Sequence, residues 1–248
     1  MNIAHDNFDI TIVLTAHREG LLAGPTGRSA QAAIALAETA GIRCQTVVVL
    51  DRANSLTCSV LAEVFGDGAV FLNTSEGDPG QARNRGIEAA TGTFAAFLDG
   101  DDLWSENWLV AAHAQAKGQP DAVHHPACLL RFGAQRHLFW HADSESGLCD
   151  PAYLDWINYW DALCFARTDL CRRFPFRAND LDLAFGHEDW HWNAWTISEG
   201  VAHKPVPETM HFKRARAGSQ MSKVDAVGGV RWPLSRGELY AQAGRGPR

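Results

Sequence analysis

Three carboxylates crowd one turn. Asp99, Asp101 and Asp102 close the stretch FAAFLDGDDLW, residues 94–104, with Gly100 between the first two. The apolar run before them has the length and bounding of a buried strand. In an open α/β sheet, ligands bind beyond the carboxyl ends of the strands. Acids packed together there repel one another unless a cation shares the site. Mg²⁺ or Mn²⁺ takes oxygen ligands of this kind, usually one or two carboxylates plus substrate phosphates. The expectation is a strand-end site that grips a metal–phosphate group. The plainer reading is a solvated acidic turn, with Ser105 capping the next helix.

Strand–helix alternation must position those acids. Residues 9–15 read as a first strand, followed by the polar turn from Ala16 to Gly20. A loop holding Gly24, Pro25 and Gly27 leads to a helix from about Ser29 to Ala40. Cys44 to Leu50 is a second buried strand, and it too ends in an acid, Asp51. A helix over 54–65, a short strand over 69–72 and a helix opening at Pro79 follow. Arg83 and Arg85 fall in the first turns of that helix, where the dipole favours anions, so a ligand or solvent must account for them. The acidic stretch is then the fourth strand, followed by a helix from Ser105 to about Lys117. Such alternation predicts a mostly parallel sheet with helices on both faces.

The pattern changes after Gln119. Residues 121–141 read as two irregular strands, 153–160 as an aromatic helix and 163–166 as another strand. Thr168 caps a short helix ending near Arg173, and 174–186 read as loop. A helix over 187–198 precedes two short strands, 201–204 and 209–213. No repeat or linker divides the chain. Residues 1–222 are expected to form one domain, with a nucleotide-binding half over 1–120 and a mixed α+β acceptor half over 121–222. The Gly- and Arg-rich tail, 223–248, is expected to be poorly ordered.

Composition sets bounds. Of 248 residues, 46% are hydrophobic and 21% charged, as in ordinary globular proteins. A net charge of −7 without a basic stripe argues against nucleic acid as a partner. No apolar run approaches the roughly 20 residues that cross a bilayer. The N-terminus lacks a signal-peptide layout. A cytoplasmic protein is expected, with peripheral contact at the inner face of the membrane left open. Six cysteines without a CxxC pair read as free thiols. Trp156, Trp160, Trp190, Trp192 and Trp195 cluster in one region, as core or as flat faces for a sugar.

Two motifs compete with the metal–phosphate reading. His187-Glu188-Asp189-Trp190-His191 matches the zinc-hydrolase pattern H-E-x-x-H, but the extended third ligand does not follow. Asp99-Gly100-Asp101 matches the two-Asp signature of haloacid dehalogenase-like phosphatases, but on the fourth strand rather than the first.

The ordered set of motifs resembles glycosyltransferase family 2, whose members have the GT-A fold. Carrying the resemblance are Asp51, Gly80-Gln81-Ala82-Arg83-Asn84, Phe97-Leu98-Asp99-Gly100-Asp101-Asp102, Glu188-Asp189 and the run from Arg214 to Ser222. It implies a GT-A α/β fold with a Rossmann-like, mostly parallel central sheet. It also implies an inverting, metal-dependent transfer from a nucleotide-diphosphate sugar, UDP-linked by default, to an acceptor hydroxyl in polysaccharide or surface-glycan assembly. The implied nucleotide contacts are Thr15, His17, Glu19, Asp51, Arg83 and Asp99. Asp101, Asp99 and His211 are implied for Mn²⁺ or Mg²⁺, Arg214 and Arg216 for the diphosphate, and Asp189 as general base. A non-catalytic nucleotide-sugar-binding module carries the same motifs. The sequence departs from the family pattern around the base: Leu14-Thr15-Ala16-His17 replaces Pro-Thr-Tyr-Asn, and Leu50-Asp51-Arg52-Ala53 replaces Asp-Asp-Gly-Ser.

Overall fold

Alternating side chains of the first strand feed two separate cores. In a computed structural model that describes residues 8–216 and 218–234, the first half runs β1 (Ile10–Ala16), α1 (Ala23–Thr39), β2 (Cys44–Asp51), α2 (Ser55–Phe65), β3 (Val70–Thr74), α3 (Pro79–Ala89), β4 (Phe94–Asp99), β5 (Leu103–Trp104) and α4 (Trp108–Gly118). Ile10, Ile12 and Leu14 pack with residues of α1, α2 and α4 on one face of the sheet. Val13 packs on the other face with Ala82 and Ile87 of α3. A strand buried on both faces reads as a continuous apolar run, as this one does.

The second half contributes β6 (Val123–Gly133), β7 (His137–Trp140), β8 (Phe165–Arg167), α5 (Thr168–Arg173), β9 (Phe185–Gly186), α6 (Glu188–Ser198), β10 (His203–Ala215), α7 (Gln220–Ala226) and β11 (Val230–Arg231). One nine-stranded sheet has the order β3-β2-β1-β4-β8-β6-β10-β5, with β7 paired to β6. β1 to β4 are mutually parallel, while β8 runs antiparallel to β4. The chain winds outward from β1 through β2 to β3, then returns to place β4 on the other side of β1. That reversal is a topological switch point, where the carboxyl ends of an open sheet leave a crevice. Thr15 and Asp99 face each other across it in the β1–β4 register.

Several expected boundaries move. Gly24, Pro25 and Gly27 lie inside α1, not in a loop. Gly27 belongs there because an added Cβ would meet Val64 Cγ1 of α2 at 2.8 Å. The two short strands expected over 201–213 are one strand, β10, with an irregularity between Val206 and Met210. Residues 153–160 hold only a 3-10 turn, Pro151–Asp155, in place of a helix. Thr168 spends its hydroxyl on the Gly92 carbonyl rather than on a cap. The boundary drawn at residue 222 falls inside α7, which Ser219 caps. Beyond it, β11 pairs with β9 and Val224 and Leu234 are buried. Residues 235–248 of the expected tail lie outside the described residues.

α3 approaches β1 closely because it carries a glycine at the contact. A Cβ on Gly86 would stand 2.2 Å from Val13 Cγ1. Gly86→Ala should therefore cost about 1–2 kcal/mol, the overpacking penalty exceeding the gain in helix propensity. Urea unfolding reads this directly. An unchanged midpoint would show that α3 slides off β1 at no cost.

Candidate active site

The carboxyl edge of β1, β2 and β4 gathers most of the expected residues. Thr15 Oγ1 donates to Asp99 Oδ1 at 3.1 Å. Asp51, at the end of β2, accepts from Thr74 Oγ1 at 3.1 Å and from the Gly77 amide at 2.8 Å. The carboxylate is thereby held at the neck of the loop between β3 and α3. His17 Nδ1 lies 2.5 Å from the Asp51 carbonyl and donates to it, while the His17 amide donates to Glu19 Oε2 at 2.6 Å. Thr15, His17, Glu19 and Asp51 thus line one continuous wall.

Asp99 is committed from a second side. Arg83 Nη2 donates to both of its oxygens, at 2.7 and 2.9 Å, and Arg83 Nη1 donates to Glu188 Oε1 at 2.9 Å. Asp101 instead pairs with Arg216, whose other arm lies 3.5 Å from Glu19 Oε1. Asp102 points inward and accepts the Arg214 amide at 2.7 Å. Arg214 itself lies over the Phe132 ring, with Nε donating to the Asp101 carbonyl. So the three acids of the turn have three environments. Asp99 bridges to α3, Asp101 faces the β10 end, and Asp102 holds β10 to the turn.

α6 delivers Asp189. It begins after His187, a non-glycine residue at φ +58°, and such left-handed positions concentrate at functional sites. The turn places Glu188 against Arg83 and leaves Asp189 next, partly buried, its Oδ1 accepting, among the described residues, only its neighbour's amide, from Trp190.

The sequence matches the family model for glycosyl transferase family 2 over residues 11–178. The chain belongs to this family. Among solved structures, S. aureus TarS 1–349 in complex with UDP-GlcNAc is similar at 16% identity and a TM-score of 0.62, over 87% of this chain and 61% of that one. The mannosyltransferase PcManGT from Pyrobaculum calidifontis, in complex with GDP-Man and Mn²⁺, is similar at 14% identity and a TM-score of 0.58, over 96% of this chain and 69% of that one. These likenesses show the shared GT-A fold. This chain spans about three-fifths of that TarS chain. Among curated proteins none matches it.

Beside Arg83 and Arg216, a third cation that was not among the expected site residues, Lys213, stands among the acids of this family 2 site. Lys213 lies on β10, 3.7 Å from Asp161 Oδ2, with its side chain 20% exposed. Burial disfavours its charge, but Asp161, Asp102, Asp99 and Asp189 outweigh burial and hold the ammonium protonated. Lys213 belongs to the run Lys213-Arg214-Ala215-Arg216, which reads as an exposed basic patch. Only β10 alternation, with His211 and Lys213 on one face, points it inward.

Each acid responds differently. Burial pushes the Asp189 carboxyl up to about 6, helped by Glu188 and opposed by Lys213 and Arg83. Burial pushes Asp102 well up, with Lys213 opposing and Asp101 and Asp99 adding to it. Asp99 is also buried, yet Arg83 and Lys213 hold it below the usual range. Asp161 is likewise held low by Lys213, His141 and His211 against burial.

Asp99, Asp101 and His211 do not converge as one donor set. Among the described residues no group of three or more His, Cys, Asp or Glu side chains is placed to hold a metal. His211 is fully buried and packs edge-on to Trp108 and alongside Trp104. Burial pushes its ring down to about 3, and neither nitrogen has a partner among the described residues. The zinc pattern is likewise not assembled: His187 stands outside the helix, and Glu188 is taken up by Arg83. Of the clustered tryptophans, Trp160 and Trp192 are core, whereas Trp156 is exposed, as is Trp140 on β7.

Proposed function

We propose that this chain transfers a sugar from a nucleotide-diphosphate sugar to an acceptor hydroxyl, with inversion at the anomeric carbon. The observation that carries this is the approach of Asp189, on α6, to the switch point between β1 and β4 through the Glu188–Arg83–Asp99 link. The nucleotide lies along Thr15, His17, Glu19 and Asp51, with Asp99 at its ribose side. Asp189 accepts the proton of the acceptor hydroxyl as that oxygen bonds to the anomeric carbon. The bond from that carbon to the phosphate oxygen breaks, and the nucleoside diphosphate leaves with the electron pair. Arg214 and Arg216 stand at the β10 end, where a departing diphosphate meets positive charge.

The donor set fits a divalent ion that arrives on the diphosphate rather than one held by the protein alone. Asp101 offers hard carboxylate oxygens, one of them paired with Arg216, whereas Asp99 is largely engaged by Arg83 and His211 is sealed between indoles. Asp101 would hold Mn²⁺ or Mg²⁺ there, and the ion would neutralise charge on the leaving phosphate. A UDP-sugar is the donor implied by family resemblance. The departures at Ala16-His17 and Arg52-Ala53 keep GDP-sugars in view, and PcManGT with GDP-Man has this fold. The acceptor belongs to polysaccharide or surface-glycan assembly on the same resemblance. Exposed Trp140 and Trp156 offer flat faces to a glycan. Among the described residues no helix is long and apolar enough to cross a membrane, so contact with the inner face is proposed only as peripheral, from the cytoplasm.

Calorimetry with UDP and Mn²⁺ tests the assignment of the ion. Asp101→Ala is expected to weaken metal-dependent nucleotide binding by at least about tenfold, the loss of a charged ligand contact. Equal affinity in the variant would remove Asp101 from the site.

A further inference from the structure

In the Gly80-Gln81-Ala82-Arg83-Asn84 segment, Gln81 and Asn84 bond the second half of the chain and Arg83 bonds both halves. Gln81 Nε2 and Asn84 Nδ2 both donate to the Phe176 carbonyl, at 2.9 and 2.8 Å, and Asn84 Oδ1 accepts the Phe176 amide at 2.9 Å. Gly80 has no room for a side chain, because a Cβ would lie 3.0 Å from both Glu188 Cγ and Phe176 Cβ. Asp78 caps α3 through the Gln81 amide and accepts the amide and the side chain of Asn179 at 2.9 and 2.8 Å. Asn179 Nδ2 in turn donates to Glu188 Oε2 at 3.1 Å. One chain of contacts thus runs from Asp78 through Asn179, Glu188 and Arg83 to Asp99 and Thr15.

Arg83 is 2% exposed. Its two Nη groups are spent on Asp99 and Glu188, and its guanidinium carbon lies 5.5 Å from the Phe176 ring centroid. Little of it remains for a nucleotide. A buried arginine with two carboxylate partners is strongly oriented, because the guanidinium fork fixes both directions at once.

We propose that Arg83 and Glu188 are positioning residues that bolt the β4 end carrying Asp99 to the first turn of α6, fixing Asp189 against the nucleotide side of the cleft. This rests on the reading of Asp189 as the base. It assigns the arginine of this segment to the joint between the two halves of the site instead of to the nucleotide base. The left-handed His187 is the corner that the bolt holds in place.

Glu188→Gln keeps the shape and one acceptor, and Arg83→Lys keeps the charge without the fork. Both should speed amide exchange over 176–180 and 189–192 by at least about tenfold, the worth of a charged hydrogen bond. Exchange in β1 and β2 should stay unchanged, as should calorimetric affinity for UDP and GDP with Mn²⁺. Transfer should lose kcat while donor KM holds. Unchanged exchange over 176–192 would overturn the proposal. So would a tenfold loss of nucleotide affinity in Arg83→Lys, which would make Arg83 a ligand contact. If Arg83→Lys does not fold, Glu188→Gln and Gly80→Ala give the same readouts, the latter by pushing Glu188 away. Transfer surviving in Asp189→Asn removes the base reading. Loss of transfer there, with Glu188→Gln like wild type, defeats this proposal alone.

Discussion

Asp189→Asn is expected to retain nucleotide binding and to lose transfer by roughly 10²- to 10⁴-fold, the usual worth of a positioned general base. Asparagine keeps the size and the hydrogen bond from the Trp190 amide but cannot take the acceptor's proton. The pH profile carries the same assignment. Burial pushes the Asp189 carboxyl up to about 6, so the active, ionised form is present above that value and is lost as pH falls through it. The acidic limb of kcat/KM should therefore lie near pH 6 rather than near 4. Transfer by Asp189→Asn at the wild-type rate would move the base elsewhere on the acceptor side. Nucleotide binding with neither transfer nor donor hydrolysis in the wild type would favour a binding module.

Lys213→Met is expected to cost on the order of 2 kcal/mol at neutral pH, less than the usual price of breaking a buried pair because the ammonium is partly exposed and 3.7 Å from its partner. The acids it serves lie on four elements: Asp99 on β4, Asp102 in the following turn, Asp161 before β8, and Asp189 on α6. His211 faces Asp161 from β10, and His141 faces it from the segment after β7. Removing the cation raises every one of those carboxylates. Lys213 stabilises the fold only while they are ionised. Its contribution is present above their folded pKa values and fades as pH falls through them. The melting deficit of Lys213→Met relative to wild type should thus be largest near pH 8, fall in part as Asp189 protonates through about 6, and keep the share owed to Asp161 and Asp99 until pH drops below the usual carboxylate range. A second consequence is an acidic limb of kcat/KM displaced upward, since Asp189 loses a cation that favours its charge. A deficit that stays constant from pH 8 to below the usual carboxylate range would mean that Lys213 acts through packing alone.

The layout of the candidate site's acids was partly legible in the sequence. A buried run ending in Asp51 and another ending in Asp99 placed both acids at one edge, and the sheet sets β1 between them, an order that alternation alone does not fix. The acids of the 99–102 turn could not be sorted by spacing, since three neighbours in sequence look alike to a pattern. Their separate roles come from what approaches each: α3 at Asp99, the β10 end at Asp101, the β10 backbone at Asp102. Arg83 shows the same limit. Its place in the first turns of α3 signalled a duty other than helix stability. Its partners, Asp99 and Glu188, lie 16 and 105 residues away, and no local rule connects them.

By itself the sequence determined the parallel first half, the strand-end acids and the order of motifs that marks family 2. Those follow from short continuous apolar runs, helix punctuation and residue type, all of them local in the chain. The tertiary structure decided that His211 is enclosed by Trp104 and Trp108 and that Lys213 turns inward among four carboxylates. It also decided that Glu188 faces Arg83 while Asp189 is left, among the described residues, with only its neighbour's amide. Those outcomes depend on low-dielectric burial and on pairings between the two halves of the chain. They exist only once β10 and α6 have packed against the end of β4.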